Sequence, residues 1–129
     1  MKTISILTIF GVFLAGVVFA VSTFSIKVGA KGTISETGTS VTVPVKVACP
    51  TGSNVMEAHL SVSQDSAFGF GAINPVCDNE SHEYLVTVNS QGGSFVKGKA
   101  QASGYILICD SEFSNCNSVS SGRRIQLKQ

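Results

Sequence analysis

From Gly98 the chain reads G-K-A-Q-A-S-G-Y-I-L-I-C, and its faces alternate residue by residue. Ala100, Ala102, Gly104, Ile106 and Ile108 fall on one side, and Gln101, Ser103, Tyr105, Leu107 and Cys109 on the other. That is the period of two that a β-strand requires. Asp110, Ser111, Glu112, Ser114 and Asn115 break the pattern with turn-forming side chains, and Cys116 opens a second extended run ending R-R-I-Q-L-K. The pattern predicts a long hairpin clipped by Cys109–Cys116, with the small residues of its first strand letting another sheet pack close.

The same alternation recurs upstream. Phe24, Ile26 and Val28 make a first strand, bent by Gly29 and Gly32 and continued over residues 33–36. The run S-V-T-V-P-V-K-V-A-C places Val41, Val43, Val45, Val47 and Cys49 on one face, a row that must bury. Pro44 cannot donate to a ladder, so this strand is expected at an edge or with a bulge. Met56, Ala58, Leu60 and Val62 form a third inward row opposite Glu57, His59, Ser61 and Ser63. Residues 64–71 read as a loop in which one or both of Phe68 and Phe70 plug the bottom of the core, the alternative being an exposed apolar tip. Residues 70–77 read as a short irregular strand interrupted by Pro75. Tyr84, Val86 and Val88 give the next inward row, and residues 89–97 a glycine-rich connection. No stretch beyond the first 20 residues shows an apolar period of 3.6. Six to seven short strands without a helix predict an antiparallel β-sandwich.

The beginning of the chain differs. After Met1, Lys2 and Thr3 comes an almost purely apolar run over residues 4–21, with Val18-Phe19-Ala20 before Val21. One basic residue, an apolar core and small residues at −3 and −1 predict a secretory signal helix over 1–20, cleaved after Ala20. The alternative is an uncleaved anchor, since about 18 apolar residues approach the length that spans a bilayer. The remainder, 21–129, is expected to form one domain.

The full chain of 129 residues carries a formal net charge of +1. Without Lys2, eight basic residues face eight acidic ones. A balanced charge argues against nucleic acid, and against an anionic membrane once the signal is removed. Four cysteines in an exported chain read as two disulfides, for which three pairings exist. Cys109–Cys116 closes the hairpin, and Cys49–Cys77 then follows if inward-facing Cys49 meets the strand ending at Cys77. No Cys-x-x-Cys pair favours a metal site. His59 on an outward row and His82 beside a turn read as exposed polar side chains, so neither metal nor cofactor is expected. The chain carries no Gly-x-Ser-x-Gly elbow and no phosphate-binding glycine loop, so no enzymatic activity is expected. Asn79-Glu80-Ser81 is a formal glycosylation sequon.

V-x-V-x-V-x-C-P at 43–50, V-C-D at 76–78, G-G-x-F-x-x-G-x-A-x-A at 92–102 and C-D-x-x-F-S-x-C at 109–116 together resemble small secreted bacterial proteins with an immunoglobulin-like sandwich. The resemblance spans residues 21–129 and implies about seven antiparallel strands and no catalytic residues. The chain departs from antibody-type domains in having no tryptophan, and Tyr105 stands four residues before Cys109 rather than two. A looser likeness is to the enediyne-binding apoproteins of the neocarzinostatin type. The cysteine spacing differs from theirs, so ligand binding is not carried over.

The expected function is that of a secreted or cell-surface binding module without chemistry of its own, directed at a protein or surface ligand. The alternative is a self-associating filament subunit, assembled by strand exchange with residues 22–29 as donor. Strand counting gathers all four cysteines at one end, with Asp78, Glu80, Glu83, Asp110 and Glu112. This stapled acidic end is a candidate contact surface, for a basic partner or weakly for a divalent cation; the alternative is that the bridges simply stop the loops from fraying.

Overall fold

Regular alternation becomes strand wherever it lasts four residues or more, because a period of two buries one row and wets the other. The computed structural model describes residues 23–129; the expected signal helix over 1–20 and its cleavage site lie outside the described residues. Eight strands follow: β1 (Ser25–Val28), β2 (Lys31–Ile34), β3 (Ser40–Ala48), β4 (Asn54–Gln64), β5 (Ala67–Ala72), β6 (Ser81–Gly92), β7 (Gly98–Cys109) and β8 (Cys116–Lys128). The valines of β3 are all buried, as are Leu60 and Val62 of β4, Val86 and Val88 of β6, and Ile106 and Ile108 of β7.

The expected immunoglobulin-like sandwich is not what these strands build. They close into a seven-stranded barrel in which β1 and β2 act as one broken strand. The wall runs β2–β3–β6–β5–β4–β7–β8, and β8 returns to β2. That last pairing is parallel (Lys31 with Gln126, Gly32 with Leu127, Thr33 with Lys128), whereas every other pairing is antiparallel. Alternation fixes which face of a strand is wet but not whether the outermost strands meet. Glycine corners decide that here. Gly69 and Gly71 point inward on β5, and a Cβ at either would run into the backbone carbonyl of Asn89 or Thr87 on β6. Only glycine lets the wall turn so sharply at this strand.

Three further expectations are revised. The fourth strand is Ala67–Ala72 rather than residues 70–77, and Ile73 leaves it buried, its N–H donating to Ala58 O at 3.1 Å. Phe68 and Phe70 stand outside the barrel, and the bottom is plugged by Phe95, 2% exposed. Met56 is extruded at a bulge between Val55 and Glu57, so it faces solvent instead of the core.

Pro44 lies within a strand paired on both sides. Its missing N–H coincides with the break between β1 and β2: the last β1 pair is Val28 with Val45, and β2 resumes at Thr33 with Thr42. Between them Gly29 N donates to Pro44 O at 2.8 Å, and a Cβ on Gly29 would sit 2.7 Å from the Pro44 ring. The interruption expected of β3 is thus carried by its neighbour.

The small row of β7 receives the facing wall, as its composition suggests. A Cβ on Gly104 would lie 2.6 Å from Ile26 Cδ1, so β1 drops its Ile26 and Val28 side chains onto that glycine. Where β1 and β8 face each other, Arg123 Nη1 donates to Val28 O at 3.0 Å.

Candidate functional site

Because Ala48 pairs with Ser81, and Cys109 with both Asn54 and Cys116, the connections 49–53, 73–80 and 110–115 share one end of the barrel. All four cysteines are there, paired Cys49–Cys77 and Cys109–Cys116 with Cα separations of 4.7 and 3.9 Å. Hydrogen bonds tie the loops further. Asn79 N donates to Cys49 O at 2.9 Å, and Thr51 N to Asn79 Oδ1 at 3.2 Å. Asn54 Nδ2 reaches Asp110 O at 3.1 Å. A shallow groove of about 430 Å³ runs between Pro50–Ser53 and the Asp110–Asn117 tip.

The five acids expected to face a partner all occupy this end, but they are not equivalent. Asp110 is held by its own loop: Oδ1 accepts from Glu112 N (3.1 Å) and Ser114 N (2.9 Å), Oδ2 from Ser114 Oγ (2.9 Å) and Asn115 Nδ2 (3.1 Å). These donors, Ser114 N foremost, lower its pKa to about 2 against the weaker opposing effect of desolvation. Asp78 accepts from His82 Nε2 at 2.8 Å and from Glu80 N at 3.1 Å, and the His82 contact is the main reason its pKa is lowered. Glu83 lies opposite Lys46 in the β3–β6 register. The carboxylates of Glu80 and Glu112 accept no hydrogen bond from the described residues.

The Asp110 loop does something the sequence reading did not anticipate. Its Phe113 N donates to Asp110 O at 3.0 Å, with Phe113 at φ +59° and its ring 58% exposed. Val76 is also exposed at this end.

A second apolar area lies on the outer wall. The register sets Ala72, His59, Tyr105 and Ser120 in one row, Phe70, Ser61, Ser103 and Gly122 in the next, and Phe68, Ser63, Gln101 and Arg124 in a third. Phe68 and Phe70 meet edge to face at 6.3 Å, and the His59 and Tyr105 rings lie 5.5 Å apart. His59 Nε2 contacts Glu57 Oε2 at 3.1 Å, while its Nδ1 is buried without a partner among the described residues. The sequence signal for this area was F-G-F-G, in which the inward places already belong to glycine.

Each histidine therefore meets one carboxylate, on separate strands, and no Ser, Thr or Cys among the described residues hydrogen-bonds either ring. The described residues contain no cluster of three or more metal-ligating side chains, and no helix long and apolar enough to cross a membrane. Charge is polarised along the barrel. Asp78, Glu80, Asp110 and Glu112 lie at the cysteine end, whereas Lys31, Lys97, Lys99, Arg124 and Lys128 lie toward the other end with Glu36 and Asp65. Comparison with family models, curated proteins and solved structures found no match.

Proposed function

We propose that this chain is a non-catalytic, secreted binding module that contacts a protein partner through its stapled loop end, with Phe113 as the anchor. The observation that supports this reading is the state of Phe113, an exposed aromatic ring on a left-handed backbone. That conformation costs an L-residue about 1–2 kcal/mol. Strain kept at an exposed, rigidly supported position points to use by a partner. The disulfides and cross-loop hydrogen bonds reduce the entropy lost on association. They also suit an oxidising, extracellular setting. The carboxylates of Glu80 and Glu112, which accept no hydrogen bond from the described residues, favour a partner with basic groups near its apolar contact.

Strand exchange has less in its favour. Residues 25–28 of the expected donor segment already form β1, with Ile26 and Val28 seated against Gly104. The test is a photoreactive phenylalanine analogue placed at position 113 and, separately, at Leu85 on the side wall. Crosslinking to one discrete partner from 113 and not from 85 is the expected result. Identical adducts from both positions, or none from 113, defeat the reading.

A further inference from the structure

We propose that the hollow where β1 breaks from β2 is an anion-binding site that takes a dianionic phosphate group. It lies on the side wall of the barrel and involves neither Phe113 nor its loop. Lys27 on β1 stands directly opposite Lys46 on β3, and both are exposed. Side chains so placed are about 5 Å apart at Cβ, and like charges there repel and weaken the ladder. Threonine would fill either wetted position without that cost. Nor is the repulsion relieved within the molecule. Glu83 continues the row, opposite Lys46 on β6, yet neither it nor either lysine forms an ion pair among the described residues.

A third cation reaches the same place from across the seam. Arg123 of β8 donates from Nη1 to Val28 O at 3.0 Å, which holds its guanidinium at the end of β1. The other donors of its fork have no partner among the described residues. Lys27, Lys46, Glu83 and Arg123 line one hollow of about 250 Å³, beside Val28 and Pro44. Gly29, two residues beyond Lys27 and so on the same face, brings no side chain to fill it. Three cations against one carboxylate leave a surplus of two positive charges. A phosphate group carries about 1.5 to 2 negative charges at neutral pH and three strong acceptor oxygens. Those oxygens suit the guanidinium fork and the two ammonium groups together. A carboxylate, with a single charge, would leave part of the surplus uncompensated.

The test is titration calorimetry of the protein as isolated from its producing cells, at low ionic strength. Inorganic phosphate, glucose 6-phosphate and acetate are the separate probes. Saturable binding of phosphate is expected, about tenfold or more tighter than that of acetate. Whichever phosphate probe binds tighter identifies the source, free ion or phosphorylated sugar. Lys27→Gln is expected to weaken phosphate binding about tenfold or more, whereas Lys97→Gln, toward the other end of the barrel, should leave it unchanged. Lys27→Gln also removes the repulsion with Lys46, so it should melt no lower than the wild type, yet phosphate should no longer raise its melting temperature. Lys46→Gln serves for the same comparison if Lys27→Gln fails to fold. A wild type that takes up no phosphate below about 10 mM, weaker than the millimolar range of low affinities, overturns the proposal. So does acetate bound as tightly as phosphate, or a loss in Lys27→Gln no greater than that in Lys97→Gln.

Discussion

At residue scale the most informative position is Phe113. Glycine adopts a positive φ without the clash that a Cβ brings. Phe113→Gly is therefore expected to leave the fold intact and raise stability by about 1 kcal/mol, while crosslinking or capture at the loop end is lost. Urea unfolding checks the first half, and a stability loss of similar size would remove the strain argument. Asp110 supplies a pH signature. Its folded pKa is depressed from 3.8 to about 2, so the carboxylate stabilises its loop above the ordinary carboxylate value, and this contribution disappears as the pH falls toward 2. The Ser114 amide resonance is expected to shift with a midpoint near 2 as Asp110 protonates, and in Asp110→Ala that shift should be absent. The run D-S-E-F-S-N was legible as a turn. That Asp110 would spend its oxygens inside that turn was not, because an Asx-type loop and a free surface acid have the same composition.

At the scale of the element, β5 shows where pattern reading stops. Its alternation was present in the sequence but inverted, glycine within and phenylalanine without, so a reading that places aromatics in the core assigned residues 64–71 to a loop. Gly71→Ala is expected to destabilise by about 2–3 kcal/mol, since the added carbon meets the backbone of β6 and not a movable side chain. Gly52→Ala, at φ +87° in open space, should cost only about 1 kcal/mol. If the two lose equal stability in thermal melts, the corner argument fails. Gln64, which the pattern left in that loop, is the next inward position after Leu60 and Val62. Buried, it donates from Nε2 to Val96 O at 2.8 Å and accepts at Oε1 from Val96 N at 2.9 Å, holding the connection that carries Phe95. Gln64→Leu leaves those groups unpaired and is expected to cost about 1–3 kcal/mol, with the amides of residues 93–97 losing exchange protection first.

At the scale of the molecule, both disulfide pairings could be argued from strand parity and loop length, and both are present. Closure could not, because no local pattern states that a first and a last strand will meet. The bridges span 28 and 7 residues, so in the chain-entropy account removing Cys49–Cys77 should cost about 1 kcal/mol more than removing Cys109–Cys116. Equal losses in chemical denaturation would leave that account unsupported. The parallel seam between β2 and β8 bears on time as well as shape. Lys31 waits for Gln126, and Val28 for Arg123 across 95 positions, so the ring cannot be completed until residues 126–128 have left the ribosome. Contacts so distant in sequence make for slow closure. Until Gln126 to Lys128 arrive, β2 has no partner on that side, and the chain stays an open, threadable polymer.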